Sequence, residues 1–309
     1  MKKISIIVPI YNESDTLKFF YTELVNVINL EHYDFEIIFS VDPGTDNTQE
    51  ILKELITIDS RVKVIEMTRK FGQATAIFCG LENCSGDAVI VMDADLQDPP
   101  SVIPMLIKKW EMDNLIVLAM RKSRIGDNLI KRSVTNIGYR FLSTFTDVPI
   151  PKNVGDFRLL DRKIVELVKL FPESRLYLRG IISLIGYPYE IVYFDRPARL
   201  YGETKYNKFF GSVPIALDGI IGFSTSLLNL STYLGIITGG IAILIASSYV
   251  TLKFFGFPFP IGNPTIVFLV LFMGAVNLLS IGIIGMYIGR IAEDVKRRPR
   301  YLIKDRYNF

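Results

Sequence analysis

The hydrophobic pattern changes character along the chain, and the changes divide it into parts. Short apolar runs recur through the first 120 residues: Ile4 to Pro9, Phe35 to Val41, Val62 to Met67, Ala88 to Met92 and Leu115 to Met120. Each has the length of a strand buried on both faces, where alternation is lost. Segments with apolar residues at helical spacing lie between them: Asp15 to Leu30, a stretch through Ile58, and the small-residue run Gly72 to Cys84. Regular alternation with short connections predicts a mostly parallel sheet covered on both faces, an α/β domain. After Met120 the alternation breaks down. Arg121, Lys122, Arg124, Lys131 and Arg132 lead into a predicted helix ending near Phe145, and Gly155 to Leu160 reads as a short strand. The basic stretch reads equally well as a solvated helix face.

The second half changes again. No charged residue occurs from Gly219 to Leu252 or from Phe254 to Gly289, and each stretch exceeds the roughly 20 apolar residues that cross a bilayer. Spans are expected from about Tyr233 to Leu252 and from about Thr265 to Gly289, with residues 207–229 as interfacial helices. The organisation read from this is a domain at 1–206, a juxtamembrane segment at 207–230, a two-helix anchor at 231–289 and a basic tail at 290–309. Gly235 and Gly239 are four residues apart, as are Gly285 and Gly289. That spacing suits close helix approach, hence a homo-oligomer through the spans, although chance glycine in an apolar run explains it as well.

Composition places the domain. Two cysteines cannot build a disulfide framework, and one histidine excludes a histidine-rich metal site. No secretory signal is read before the first strand, because Met1-Lys2-Lys3 leads straight into it. Seven Lys and Arg residues from Arg290 to Arg306 outnumber Glu293, Asp294 and Asp305. Positive flanks stay inside, so the domain and the C-terminus are expected on the cytoplasmic face of the inner (plasma) membrane. The basic residues cluster beside the spans and do not form a nucleic-acid footprint.

The chemistry gathers at Met92-Asp93-Ala94-Asp95-Leu96-Gln97-Asp98-Pro99-Pro100. Strand carboxyl ends are where open α/β sheets bind ligands, and two acids there suit a hard divalent cation completed by substrate phosphates. An acidic turn after a core strand is the plainer reading. Neither Gly-x-Gly-x-x-Gly nor a phosphate loop ending Gly-Lys-Ser/Thr is present, which disfavours dinucleotide and ATPase sites.

Four stretches together change the balance: Val8-Pro9-Ile10-Tyr11-Asn12-Glu13, the Asp-Pro-Gly turn at Asp42, Phe71-Gly72-Gln73, and the Asp93–Pro100 run. The chain resembles family 2 glycosyltransferases of the GT-A fold. More narrowly, it resembles the polyisoprenyl-phosphate glycosyltransferases, among them dolichol-phosphate mannose synthase and the bacterial undecaprenyl-phosphate glucosyltransferases. Gly155-Asp156-Phe157-Arg158-Leu159-Leu160, Gly202 to Tyr206 and the paired spans are similar to the bacterial branch. The resemblance implies a Rossmann-like, mostly parallel GT-A domain followed by interfacial helices and two transmembrane helices. Pro9, Tyr11, Glu13 and Asp42 would hold the nucleotide. Asp93, Asp95 and Gln97 would position Mg2+ or Mn2+ on the sugar-nucleotide diphosphate. Arg121 and Arg132, with Lys131, would hold the lipid phosphate, and Arg199 and Lys205 would close over the donor.

The implied reaction is inverting transfer of one hexose to undecaprenyl phosphate, with glucose from UDP-glucose as the first choice. GDP-mannose, UDP-galactose and amino sugars are alternatives, as is a non-catalytic membrane partner with a degenerate nucleotide-binding domain. The acceptor is a phosphate monoester, largely dianionic at neutral pH. Asp156 is therefore expected to orient the acceptor or a sugar hydroxyl more than to act as a base; pairing with Arg158 or Arg162 would make it structural. One departure stands out: relatives carry two acids, or Asn-Asp, then Gly-Ser after the second strand, and here the run is Val41-Asp42-Pro43-Gly44-Thr45. The lone Trp110 is not part of the Gln-x-x-Arg-Trp motif of processive members.

Overall fold

The computed structural model describes residues 1–122, 154–173, 177–195, 225–256 and 263–309. The five apolar runs become β1 (Lys3–Ile10), β2 (Asp34–Val41), β3 (Val62–Met67), β4 (Ala88–Val91) and β5 (Ile116–Arg121). They are joined by β6 (Val154–Asp161), β7 (Glu190–Phe194) and β8 (Ile303–Tyr307) in one sheet, in the order β7-β5-β6-β4-β1-β2-β3-β8. Strands β1, β2, β3 and β4 pair in parallel, as does β5 with β7. Only β6 and β8 run against their neighbours.

Helices α1 (Leu17–Ile28), α2 (Thr48–Ile58), α3 (Gln73–Asn83) and α4 (Ile103–Trp110) cover the sheet, with α5 (Arg162–Lys169) and α6 (Leu178–Ile185) after β6. Both faces are dry. Ile4, Ile6 and Val8 of β1 pack with Leu17, Phe20 and Leu24 of α1 on one side. Ile7 of β1 and Val89 and Val91 of β4 pack with Ile77, Phe78 and Leu81 of α3 on the other. This is why the central strands read as continuous apolar runs. α5 starts where the Asp161 carboxylate accepts from the Lys163 backbone N–H at 2.9 Å and from the Trp110 indole at 2.8 Å.

One polar group interrupts that core near the start of the strands. Glu36, with its side chain 2% exposed, accepts from Lys63 at 2.8 Å, from the Ser85 hydroxyl at 2.9 Å and from the Ser5 hydroxyl. Burial opposes its charge, but these donors hold the carboxyl down at about 2.

Three regions differ from expectation. The 290–309 tail ends in β8, which pairs antiparallel with β3; only Ile303 and Tyr307 are apolar there, so the charged edge strand hid its identity. β7, α4, α5 and α6 were not anticipated. The apolar helices are longer than the expected spans: α7 covers Ser226–Phe254 and α8 covers Asn263–Val295. Stretches of 24 and 28 residues within them are long and apolar enough to cross a membrane, about 36 and 42 Å at the helical rise. Ile236, Leu244, Phe268 and Leu271 lie exposed along them. A Cβ added at Gly235, Gly239, Gly285 or Gly289 would meet nothing within 4 Å, so the glycine spacing is not spent on contacts within this chain. The helix expected up to Phe145 and most of the 207–230 segment lie outside the described residues.

Candidate active site

The parallel strands put the carboxyl ends of β1, β2, β4 and β5 on one edge of the sheet, and β6 begins at that edge. Five short stretches therefore converge. After β1 come Tyr11, Asn12 and Glu13, all half-buried, and Pro9 lies within the strand beside Ser40 of β2. Lys70 places its ammonium 3.4 Å from the centroid of the Tyr11 ring. The Glu13 backbone N–H donates to Thr48 at 2.9 Å, and its carboxylate accepts from the Thr16 hydroxyl at 2.9 Å. Within the 41–45 run, the glycine has a steric reason. The Asn12 amide oxygen accepts from the Thr45 N–H at 2.9 Å, and a Cβ on Gly44 would come within 2.0 Å of that oxygen. Only glycine leaves room for this side chain.

Asp42 has a definite task. Its side chain is buried, and its two oxygens accept from the backbone N–H groups of Phe71 and Gly72, each at 2.8 Å. The carboxylate thus fixes the turn that starts α3. The next residue, Gln73, donates its side-chain amide to Asp93 Oδ1 at 2.8 Å, so a chain of contacts runs from the end of β2 to the acid pair after β4.

Asp93, Asp95 and Gln97 are half-buried in the turn after β4. The Gln97 N–H donates to Asp95 Oδ1 at 3.1 Å. Leu96 between them is buried at φ +60°, a sparsely populated conformation that costs on the order of 1–3 kcal/mol and recurs at functional sites. Among the described residues no three His, Cys, Asp or Glu side chains gather as a metal cage. Two carboxylates in one turn are nevertheless a donor set suited to Mg2+ or Mn2+ when substrate phosphates supply the remaining oxygens.

The other side of the edge is basic. Val91 of β4 and Leu118 of β5 both register with Arg158 of β6, and the antiparallel run of β6 carries Asp156 toward the Asp93–Asp95 turn. Asp156 Oδ1 lies 3.0 Å from Arg179 Nε and 3.2 Å from an Arg158 terminal nitrogen, and Oδ2 lies 3.3 Å from Arg179. Arg121 stands over the same strand, where a Cβ at Gly155 would come within 3.1 Å of its guanidinium. Burial penalises the Asp156 charge, but Arg179 first, then Arg158 and Arg121, hold its carboxyl below the usual value. Arg158, 1% exposed, also donates to the Gly155 carbonyl at 2.6 Å, and burial pulls its guanidinium down to about 10. Three guanidiniums around one carboxylate leave a net positive patch beside the acid pair.

The structure therefore brings together Pro9, Tyr11, Glu13, Asp42, Asp93, Asp95, Gln97, Arg121 and Asp156 on one edge. Lys131, Arg132, Arg199 and Lys205 lie outside the described residues. Two participants were not anticipated. Gln73 belongs to a recognised stretch without an assigned role. Arg179 is the one charge in the otherwise apolar helix Leu178–Ile185, and that isolation was its only sequence signal.

Residues 5–168 match glycosyl transferase family 2. The chain belongs to that family. It is 40% identical over 307 residues to a bactoprenol glucosyl transferase of Shigella phage SfX, covering 98% of this chain and 99% of that one. It is 38% identical over 305 residues to a prophage bactoprenol glucosyl transferase homolog of Escherichia coli strain K12, with 98% of each chain covered. The glucosyl-3-phosphoglycerate synthase of Mycobacterium tuberculosis, solved with Mn2+, UDP-glucose and phosphoglyceric acid, matches with TM-score 0.50 and 18% identity over 72% of this chain and 79% of that one. The family 2 chain thus has the GT-A fold, and its likeness to these two relatives extends through α7 and α8.

Proposed function

We propose that this family 2 chain transfers glucose from UDP-glucose to undecaprenyl (bactoprenol) phosphate at the cytoplasmic face of the inner membrane, with inversion at the anomeric carbon. The observation that carries the reading is the pairing of an acid turn and an arginine cluster on one sheet edge, in a chain with two membrane-length helices. A sugar-nucleotide and a lipid phosphate are both anions, and their reaction needs both kinds of charge in one place. The near-full-length likeness to bactoprenol glucosyl transferases supports the sugar and the lipid.

Asp93 and Asp95, with Gln97, are assigned to Mg2+ or Mn2+; the bound cation supplies positive charge to the diphosphate as it leaves. Gln73 orients Asp93 through its amide. Pro9, Tyr11 and Glu13 border the nucleotide, and Asp42 acts by fixing the 71–73 turn. Arg121 and Arg179 present guanidinium forks to the acceptor phosphate, with Lys131 and Arg132 as further partners and Arg199 and Lys205 over the donor. One acceptor oxygen forms the new bond to the anomeric carbon, the bond from that carbon to the diphosphate breaks, and UDP departs. The attacking oxygen is already anionic, so no proton has to be removed. Asp156 then serves to fix Arg179 and Arg121.

Connectivity supports the proposed membrane topology. The chain leaves the domain, enters α7, returns through α8 and adds β8 to the same sheet, so two crossings put both ends on one side. The basic run after Arg290 favours the cytoplasmic side.

The test is to incubate the purified full chain and Mn2+ with undecaprenyl phosphate and a panel of UDP- and GDP-sugars, then analyse the lipid by mass spectrometry. A hexosyl lipid phosphate formed from UDP-glucose alone is the expected result. A product from another donor would replace the sugar assignment, and no lipid product from any donor would overturn the reading.

A further inference from the structure

A cavity of about 580 Å3 opens beside the segment that joins α8 to β8. Lys169 from the end of α5 and Arg298, Arg300 and Arg306 line it, with Glu82 and Tyr301. None of these residues belongs to the strand-end site. The cations differ in how they are held. Arg300 stacks on the Phe78 ring at 4.4 Å, donates to the Phe171 carbonyl and lies 3.8 Å from Glu82. Glu82 also accepts from the Tyr301 hydroxyl, so the single carboxylate in the lining is engaged twice. Lys169 pairs with Glu166 at 2.8 Å. Arg298 and Arg306 form no ion pair among the described residues; Arg306 has the Phe309 ring 6.0 Å away.

Four cations against one carboxylate give the lining a net charge of +3. Like charges facing one volume repel unless an anion lies between them. The volume falls within the range of small-ligand pockets, roughly 300–1,000 Å3, and arginine forks are matched to phosphate oxygens. We infer that this cavity is a second anion site, built for a phosphate group and separate from the strand-end site. Its place in the chain favours a lipid source. Arg298 follows the last residue of α8, Val295, by three positions, and basic residues this close to a span attract anionic headgroups. A headgroup seated there ties the α8–β8 junction to the bilayer and fixes how the domain stands over the membrane. A free phosphate group would meet the same chemistry.

The test uses the full chain in a detergent with a neutral headgroup. Dihexanoyl phosphatidylglycerol below its micelle concentration, dihexanoyl phosphatidylcholine and inorganic phosphate are each titrated by calorimetry. No donor sugar or transfer step is involved, so the outcome is independent of the proposed reaction. Phosphatidylglycerol is expected to bind more tightly than phosphatidylcholine, with its affinity reduced at least tenfold in the Arg298→Gln/Arg306→Gln variant and within twofold of wild type in Arg121→Gln. Inorganic phosphate binding as tightly as phosphatidylglycerol, with the same sensitivity to the double variant, supports the site and assigns it to free phosphate. Equal affinities in wild type and the double variant, or a loss confined to Arg121→Gln, would overturn the proposal. Should the double variant fail to fold, Lys169→Gln provides the decision: about a threefold loss supports the site, and no loss overturns it.

Discussion

The two halves of the sheet bring opposite charge to the same edge, and they are built differently. Strands β2 and β4 end in carboxylates that follow closely on their own apolar runs: Asp42 after β2, Asp93 and Asp95 after β4. The basic half is assembled across the fold. Arg121 ends β5, Arg158 lies midway along β6, and Arg179 comes from α6, twenty-three positions beyond the Asp156 it contacts. In the proposed donor site each carboxylate sits in the loop after its own strand, whereas the proposed acceptor site draws single arginines from β5, β6 and α6.

The largest expected effect lies on the acidic side. Asp95→Ala should lower glucosyl transfer by 10²–10³-fold or more, on the order of what loss of one transition-state charge contact costs, while the circular dichroism spectrum stays that of wild type. Transfer at the wild-type rate with Mn2+ would remove the metal assignment from this turn. The basic side should respond in the other substrate. Arg179→Ala is expected to raise the KM for undecaprenyl phosphate by about 10–100-fold, in line with 1.4 kcal/mol per tenfold for a lost charged contact, with the KM for UDP-glucose within twofold. Arg121→Ala should do the same. Arg179→Lys should recover only part of the loss, because an ammonium lacks the planar fork. An unchanged acceptor KM in both alanine variants would move the lipid phosphate elsewhere.

The difference in construction explains what was legible in advance. The five parallel strands, the small-residue helix α3, the Asp93–Gln97 turn and both apolar helices follow from period and composition, which are local. Arg179 gave no such signal, since one charge in a short apolar helix reads as an interruption of its pattern. Asp42 was legible as a site residue, but its contacts with the Phe71 and Gly72 N–H groups depend on two loops 29 and 30 positions apart in sequence. β8 was missed for a third reason: Lys304, Asp305 and Arg306 protect an edge strand and look like a solvated tail.

Asp42 gives a smaller effect, on the donor side. Asp42→Asn replaces one accepting oxygen with an NH2 group that faces a backbone N–H, leaving it unsatisfied at a cost of about 1–3 kcal/mol. Thermal unfolding should show that loss. The KM for UDP-glucose should rise several-fold, because the 71–73 turn that carries Gln73 loosens, and the acceptor KM should stay constant. An acceptor effect as large as the donor effect would mean that the two halves are coupled through this turn.

The smallest effect concerns pH, and it separates the two roles open to Asp156. Burial raises the cost of its charge, yet Arg179, Arg158 and Arg121 hold its carboxyl below the ordinary 3.8. A depressed carboxylate contributes stability that is present above the unfolded value and lost as pH falls through the lower folded value, so its ionisation contributes nothing to pH dependence between 5 and 8. The acceptor monoester, with a second pKa near 6, should then set the acid limb of kcat/KM for transfer. Arg179→Gln removes the charge that does most to depress Asp156 and lets its carboxyl move up toward the ordinary range. If Asp156 only orients the arginines, the limb stays near pH 6 in that variant and in Asp156→Asn, while the acceptor KM rises in both. Loss of the limb in Asp156→Asn would instead make this carboxylate the group that takes a proton, and would make the basic half a site of acid–base chemistry as well as of phosphate binding.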